Sequence, residues 1–138
     1  MNEPHRLLSD TQFEQAFELK SLPAQSFTHE AHLRLAWIHI SKYGLTKAIG
    51  NVCIQISEYA QSLGVPEKFN MTVTVAAVKA VYHFTNRSQS NDFYELIEEF
   101  PRLKTNFKGL VNSHYGFDIF KSGKAKKEFL EPDLVPFD

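Results

Sequence analysis

The chain has 138 residues, of which 43% are hydrophobic and 22% charged, as is usual for a globular domain and unlike disordered or fibrous proteins. Its net charge of −1 excludes a whole-molecule field that would attract nucleic acid or an anionic membrane surface. We therefore expect one domain over residues 1–138, without a nucleic-acid or membrane partner.

Cysteine content and the N-terminal segment predict a cytoplasmic protein. A single cysteine, Cys53, excludes an internal disulfide and fits a reducing compartment. The first six residues lack the basic stretch and apolar run of a secretory signal. The apolar segment from Val73 to Phe84 is interrupted by polar residues and is shorter than the roughly 20 residues of a membrane span.

Three helices are predicted in the first half of the chain. Ser9 and Gln12 form a capping-box pattern at the start of an amphipathic first helix. Thr28 can cap a helix from His29 to about Tyr43, which Gly44 ends. Thr46 can cap a third helix from Lys47 to Leu63, where Gly64 is placed to end it.

The segment from Asn70 to Phe84 has two interpretations. Met71 to Val75 alternates and is rich in β-branched residues, as a strand would be. The apolar character continues to Tyr82 without a turn signal, which exceeds the usual strand length. The length of this apolar run favours a buried central helix.

The last third of the chain predicts shorter helices. Ser90 or Asn91 can cap a helix that ends near Pro101, and apolar residues from Leu103 to Val111 continue at helical spacing. Ser122 precedes a last turn or two from Gly123 to Leu130. Five or six helices with short connections predict an all-α fold, in one compact bundle-like or orthogonal domain.

The second predicted helix turns three histidines towards its apolar side. His29, His32 and His39 lie on or beside the stripe of Leu33, Ala36 and Ile40, whereas Glu30, Arg34 and Ser41 form the polar side. His29 and His32 are three residues apart, close enough to share a loosely held metal or an anion. The zinc-protease pattern needs histidines four apart and is absent. The alternative is that both are structural histidines with hydrogen-bonded rings.

A resemblance adds further positions. The run Phe27-Thr28-His29-Glu30-Ala31-His32-Leu33 resembles the opening motif Phe-x-His-x-x-His-Leu of a bacterial protein family without an established activity. That family continues with Tyr-His-x-Thr-x-Thr and a Phe-x-x-Pro-Asp-Leu-x-Pro-like tail. The matching segments here are Phe69 to Thr74 and Phe129 to Pro136.

The resemblance implies a third histidine where Asn70 stands in this chain. An asparagine amide can hydrogen-bond a ligand but binds transition metals poorly, which weakens a three-histidine metal site. Thr72 and Thr74 can offer hydroxyls to the same ligand or bond back to helix carbonyls. Tyr115 can close the pocket or serve as an amphipathic boundary residue.

Two other features favour structural interpretations. Cys53 shares a face with Val52, Ile56 and Tyr59, so it is predicted to be a small, unreactive core residue. The basic stretch from Arg102 to Lys127 is followed directly by acidic residues, which is typical of a solvated face and not of a nucleic-acid interface.

Two functional hypotheses follow. In the first, His29 and His32 act as catalytic or metal-ligating groups, with Asn70, Thr72, Thr74 and Tyr115 around a small-molecule ligand and acid–base chemistry at the imidazoles. The second is a non-catalytic interaction module, as a homodimer, with structural histidines. A cavity beside His29 and His32 favours the first hypothesis, and an exposed apolar patch favours the second. The residues specify neither a reaction nor a substrate.

Overall fold

The computed structural model describes residues 3–137, so that Met1, Asn2 and Asp138 of the predicted domain lie outside the described residues. The described part is all helical, as predicted. Its helices are α1 (Asp10–Glu18), α2 (His29–Tyr43), α3 (Leu45–Ser62), α4 (Met71–Thr85), α5 (Phe93–Glu99), α6 (Arg102–Thr105), α7 (Phe107–Asn112) and α8 (Gly123–Lys127). Short 3₁₀ turns at Pro4–Leu7, Ala24–Ser26 and Pro66–Lys68 connect or precede them.

The predicted starts of α1 and α2 are confirmed by their capping bonds. Ser9 accepts a hydrogen bond from the backbone of Gln12, whose side chain accepts one from the Ser9 backbone, completing the capping box. The side chain of Thr28 accepts a bond from the Ala31 backbone at the start of α2.

The predicted start of α3 at Thr46 is wrong. Gly44 ends α2 and also occupies the position before the first residue of α3, so that Thr46 lies inside the helix. The φ angle of Gly44 is 82°, a left-handed conformation that glycine adopts without a steric penalty. One residue therefore connects two long helices.

The segment predicted as a central helix is α4, and the helical interpretation is confirmed. Asn70 caps it, and its buried residues include Val75, Ala76, Val78 and Val81. α4 packs against both α2 and α3, so apolar residues are needed on most of its sides. Such a helix lacks clear amphipathic periodicity, which explains the strand-like pattern at its start.

The last third differs from the predictions at three places. Asp92, and not Ser90 or Asn91, caps α5 through the Glu95 backbone. The helical spacing from Leu103 to Val111 is broken at Asn106, whose φ of −147° separates α6 from α7. Ser122 caps α8, which ends at Lys127 and is shorter than predicted. Within residues 3–137, no helix combines the length and the apolar character that crossing a membrane requires.

Candidate functional site

His29 lies at the first position of α2 and is exposed to solvent. Its Nε2 atom is 2.9 Å from the carbonyl oxygen of Leu103, so this nitrogen donates a hydrogen bond to the backbone of α6. The imidazole also contacts the ring of Phe107, with the ring centroids 5.1 Å apart. The prediction that His29 points into the core is therefore wrong, because the residue is exposed at the start of α2.

His32 is the more buried histidine of the predicted pair and is partly exposed. Its Nε2 atom is shielded from solvent and has no hydrogen-bond partner among the described residues. The ring packs on Phe27 with centroids 5.6 Å apart. Burial, together with the nearby His29, lowers the pKa of His32 from 6.5 to about 4. Its imidazole is neutral at physiological pH and too weakly basic to be an effective proton acceptor there.

Asn70 uses both ends of its amide to hold the fold. Its Oδ1 atom accepts a 3.0 Å bond from the Val73 backbone as the cap of α4. Its Nδ2 atom donates a 2.9 Å bond to the carbonyl of Ile119. These bonds give Asn70 a structural role, and its predicted contact with a ligand stays a prediction.

Thr72 and Tyr115 meet at the C-terminal segment. The Thr72 hydroxyl donates to the carbonyl of Glu128 and accepts from the backbone nitrogen of Leu130. The Tyr115 hydroxyl donates a 2.7 Å bond to the carbonyl of Leu130, and burial raises its pKa to about 12. Thr74 is buried on α4. The Thr72 hydroxyl thus fastens this segment to α4, and the Tyr115 hydroxyl fastens it to the residues that follow α7.

A buried ionic cluster escaped the sequence analysis. Glu30 and Arg34, predicted on the polar side of α2, are only 1% and 2% exposed, because the turn Pro4–Leu7 covers them. The Glu30 carboxylate accepts bonds of 2.6–2.8 Å from His5, Arg6 and Lys104. The charges of Arg6 and Lys104, together with the hydrogen bonds from these two residues and from His5, lower its pKa to about 2 despite burial.

Arg34 fixes the position and the protonation of the His5 ring in this cluster. Arg34 donates to the backbone carbonyls of His5 and Leu8 and pairs with Asp10. Its guanidinium also lies 3.3 Å from Nδ1 of His5. An arginine can only donate, so Nδ1 of His5 accepts and its Nε2 carries the proton given to Glu30. Burial lowers the pKa of His5, consistent with this neutral form.

Glu3, His5 and Glu30 place potential metal-ligand atoms within 4.8 Å of one another. Both Glu30 oxygens already accept bonds from Arg6, and Lys104 also lies 3.4 Å from Glu3. A divalent cation would have to enter against these positive charges. The cluster fits an ion-pair network that fastens the N-terminal turn to α2, and it does not fit a metal centre. Because its members are far apart in sequence, helical spacing gave no sign of it.

An apolar groove lies on the surface between α3 and α4. One part, of about 510 Å³, is lined by Ile49, Gly50, Cys53, Ile54, Met71, Val75, Lys79, Phe129 and Glu131. A second part, of about 360 Å³, shares Cys53, Ile54 and Met71 with the first and continues to Ser57, Glu58, Gln61 and Phe69. Together they form the α3–α4 groove. Ile54 lies in both parts and is 59% exposed.

The groove's thiol is not a reactive group. Cys53 is 7% exposed at the base of the groove. Burial raises the pKa of its thiol to about 11. The predicted core position of Cys53 is confirmed, and the groove therefore presents apolar surface without a nucleophile.

No protein-family model matches this chain, and neither the curated proteins nor the solved structures include one with detectable similarity to it.

Proposed function

We propose that this chain is a non-catalytic interaction module that binds an amphipathic helix in the α3–α4 groove. The observation that carries the proposal is Ile54, a large apolar side chain that is 59% exposed where the two parts of the groove meet. Exposed apolar surface of this kind is typical of protein–protein contacts.

The dimensions of the groove suit a helix. From Ile49 to Gln61 the α3 wall rises by about 18 Å, or three helical turns. A helix that lies in such a groove places a large apolar side chain between the two walls, with further contacts one turn away on the same face. Met71, Val75 and Phe129 supply apolar contacts along the opposite wall.

The polar groups support this proposal over acid–base chemistry. His29 bonds a backbone carbonyl, and the pKa of His32 is about 4, far below that of an efficient general base at neutral pH. Asn70, Thr72 and Tyr115 bond the backbone of their own chain.

The proposal is tested with a synthetic helix of neutral residues that carries a single leucine stripe. Added to isotope-labelled protein, it should shift amide resonances that cluster at Ile54, Met71 and Val75. The variant Ile54→Glu should lose these shifts, because it places a charge in the groove. The matched control Leu7→Glu changes an equally apolar residue that is 88% exposed elsewhere and should keep them. Shifts that survive Ile54→Glu would contradict the proposal.

We propose a second candidate function, a small-molecule site at His32, for one specific reason. The buried, unpartnered Nε2 of His32 is the kind of polar atom for which a ligand or a water would supply a partner. Phe27, which packs on this ring, also lines a cavity of about 250 Å³ with Tyr59, Lys68 and Phe69. Native mass spectrometry of protein purified without chelator should then show added mass that His32→Leu removes. The mass of the polypeptide alone would exclude this candidate.

A further inference from the structure

We infer that the helix bound in the α3–α4 groove is α3 of a second copy of this chain, packed antiparallel across a two-fold axis near Ile54. This inference rests on the proposed function and names its partner. The residues that carry it are the outward side chains of α3 and their charges.

The outward face of α3 forms a continuous stripe. At 3.6 residues per turn, Lys47, Gly50, Glu58 and Gln61 all lie within about 40° of the direction of Ile54. All five residues are exposed. A helix placed against Ile54 therefore contacts the whole stripe, and two copies can present the same stripe to each other, as a two-fold interface requires.

Gly50 leaves room for a close approach. It lies in the interior of α3, with no atom within 4 Å of the place where a Cβ would be. A side chain would fit in the single copy and would favour the helix, so packing within one chain does not explain the glycine. Its missing side chain leaves space one turn from Ile54, so that the helix of the second copy can come close to α3.

The charges of α3 select the antiparallel direction. Lys47 lies in the first turn, where the helix dipole disfavours a cation, and it makes no ion pair within residues 3–137. Glu58 lies near the opposite end, where the dipole disfavours an anion, and Lys20 approaches it only at 3.5 Å with both side chains half exposed.

An antiparallel second copy compensates the unfavourable charges of Lys47 and Glu58 at the two ends of α3. With Ile54 facing Ile54, Lys47 lies opposite Gln61 and within one turn of Glu58 of the second copy. Two symmetric Lys47–Glu58 pairs result, and the two helix dipoles oppose each other. A parallel arrangement would place Lys47 beside Lys47 and Glu58 beside Glu58. Because a contact of three helical turns is small for a protein interface, we expect a reversible dimer of modest affinity.

The test is sedimentation velocity of the full chain from low to high micromolar concentration. We expect a reversible monomer–dimer equilibrium, weakened about tenfold or more by Ile54→Glu. Gly50→Gln should weaken it similarly while raising the melting temperature, which separates loss of the interface from loss of the fold. Leu7→Glu should leave the equilibrium unchanged. A dimer that withstands both groove variants would overturn the inference.

Cross-linking tests the two-fold geometry. With Cys53 replaced by Ser, Ile54→Cys should form an intermolecular disulfide under mild oxidation, because each residue 54 faces its own copy. The exposed Ser41→Cys on α2 is the matched control and should cross-link far more slowly. Equal rates at the two positions would overturn the arrangement. If the chain stays monomeric while the synthetic helix still binds, the groove keeps its proposed function and a second copy is not its partner. If both tests fail, the proposed function fails as well.

Discussion

The Nε2 atom of His5 lies 2.7 Å from Oε2 of Glu30, and neither side chain is exposed to solvent. Together with Arg6, this pair fastens the turn Pro4–Leu7 to α2, and Lys104 joins α6 to the same carboxylate. Glu30 is therefore the central acceptor of the cluster, and its removal leaves several donors without their partner.

We expect Glu30→Ala to lower the free energy of unfolding by about 2–3 kcal/mol. The loss stays below that of a fully enclosed ion pair because Arg6 and Lys104 are 46% and 37% exposed and can return to water. Urea unfolding measures the change. Glu98→Ala, at an exposed position of α5, is the control and should change the value by less than about 0.5 kcal/mol.

His32, whose Nε2 atom has no hydrogen-bond partner, should make the free energy of unfolding depend on pH. The pKa of His32 falls from 6.5 to about 4 on folding, so the unfolded chain binds a proton more readily between these values. The stability that comes from keeping His32 neutral is complete above pH 6.5 and decreases as the pH falls towards 4, by about 3 kcal/mol. His32→Leu should reduce this decrease to the part that His5 and His39 cause, since burial lowers the pKa values of these two histidines as well. The variant should be neutral or stabilising at pH 7, because it also removes an unsatisfied buried nitrogen. An unchanged pH profile in the variant would contradict the prediction.

Glu30 should cause a separate decrease in the free energy of unfolding at lower pH. Its pKa is lowered from 4.5 to about 2 in the folded chain, so its stabilising effect is present above pH 4.5 and is lost as the pH falls through 2. Glu30→Gln should abolish the loss of stability between pH 4.5 and 2 and keep the loss between pH 6.5 and 4. His32→Leu should keep the loss at lower pH and reduce the loss at higher pH. Unfolding free energies measured at several pH values in both variants distinguish the two groups.

Thiol labelling tests the base of the groove. Cys53 should react slowly with a thiol reagent in the native state, because it is 7% exposed and its pKa is about 11. Ile54→Cys in a Cys53→Ser background moves the thiol to the exposed neighbouring position and should react quickly. Rapid labelling of native Cys53 would show that α3 opens away from α4.

The cap of α4 gives a further test. Asn70→Ala should cost about 1–2 kcal/mol, because the Val73 nitrogen and the Ile119 carbonyl both lose a partner. Asn70→Asp keeps the capping oxygen but not the donor, so it should cost less. Thermal unfolding of the three proteins gives the order, and equal losses in both variants would show that the cap contributes nothing.

Much of the fold follows from local signals in the sequence. The capping patterns of Ser9 and Thr28 and the length of the apolar run after Asn70 predict α1, α2 and α4, since these signals act within a few residues. The start of α3 was misplaced because Gly44 and Thr46 are both acceptable before a helix, and only the short connection to α2 decides between them.

The orientation of α2 could not be predicted in the same way. Glu30 and Arg34 are one turn apart and indicate a solvated side by helical spacing. Their burial depends on His5 and the turn around it, more than twenty residues earlier in the chain. The α3–α4 groove likewise needs Phe129 beside Ile54, a proximity that no local pattern contains.

The connection through Gly44 also bears on the order of folding. A single residue with φ of 82° lies between α2 and α3, so their pairing closes almost no loop and costs little chain entropy. α4 reaches the same two helices only after the segment from Leu63 to Asn70 has been arranged. We expect α2 and α3 to form the earliest structure during folding and to be the last part to exchange its amide hydrogens in the native state.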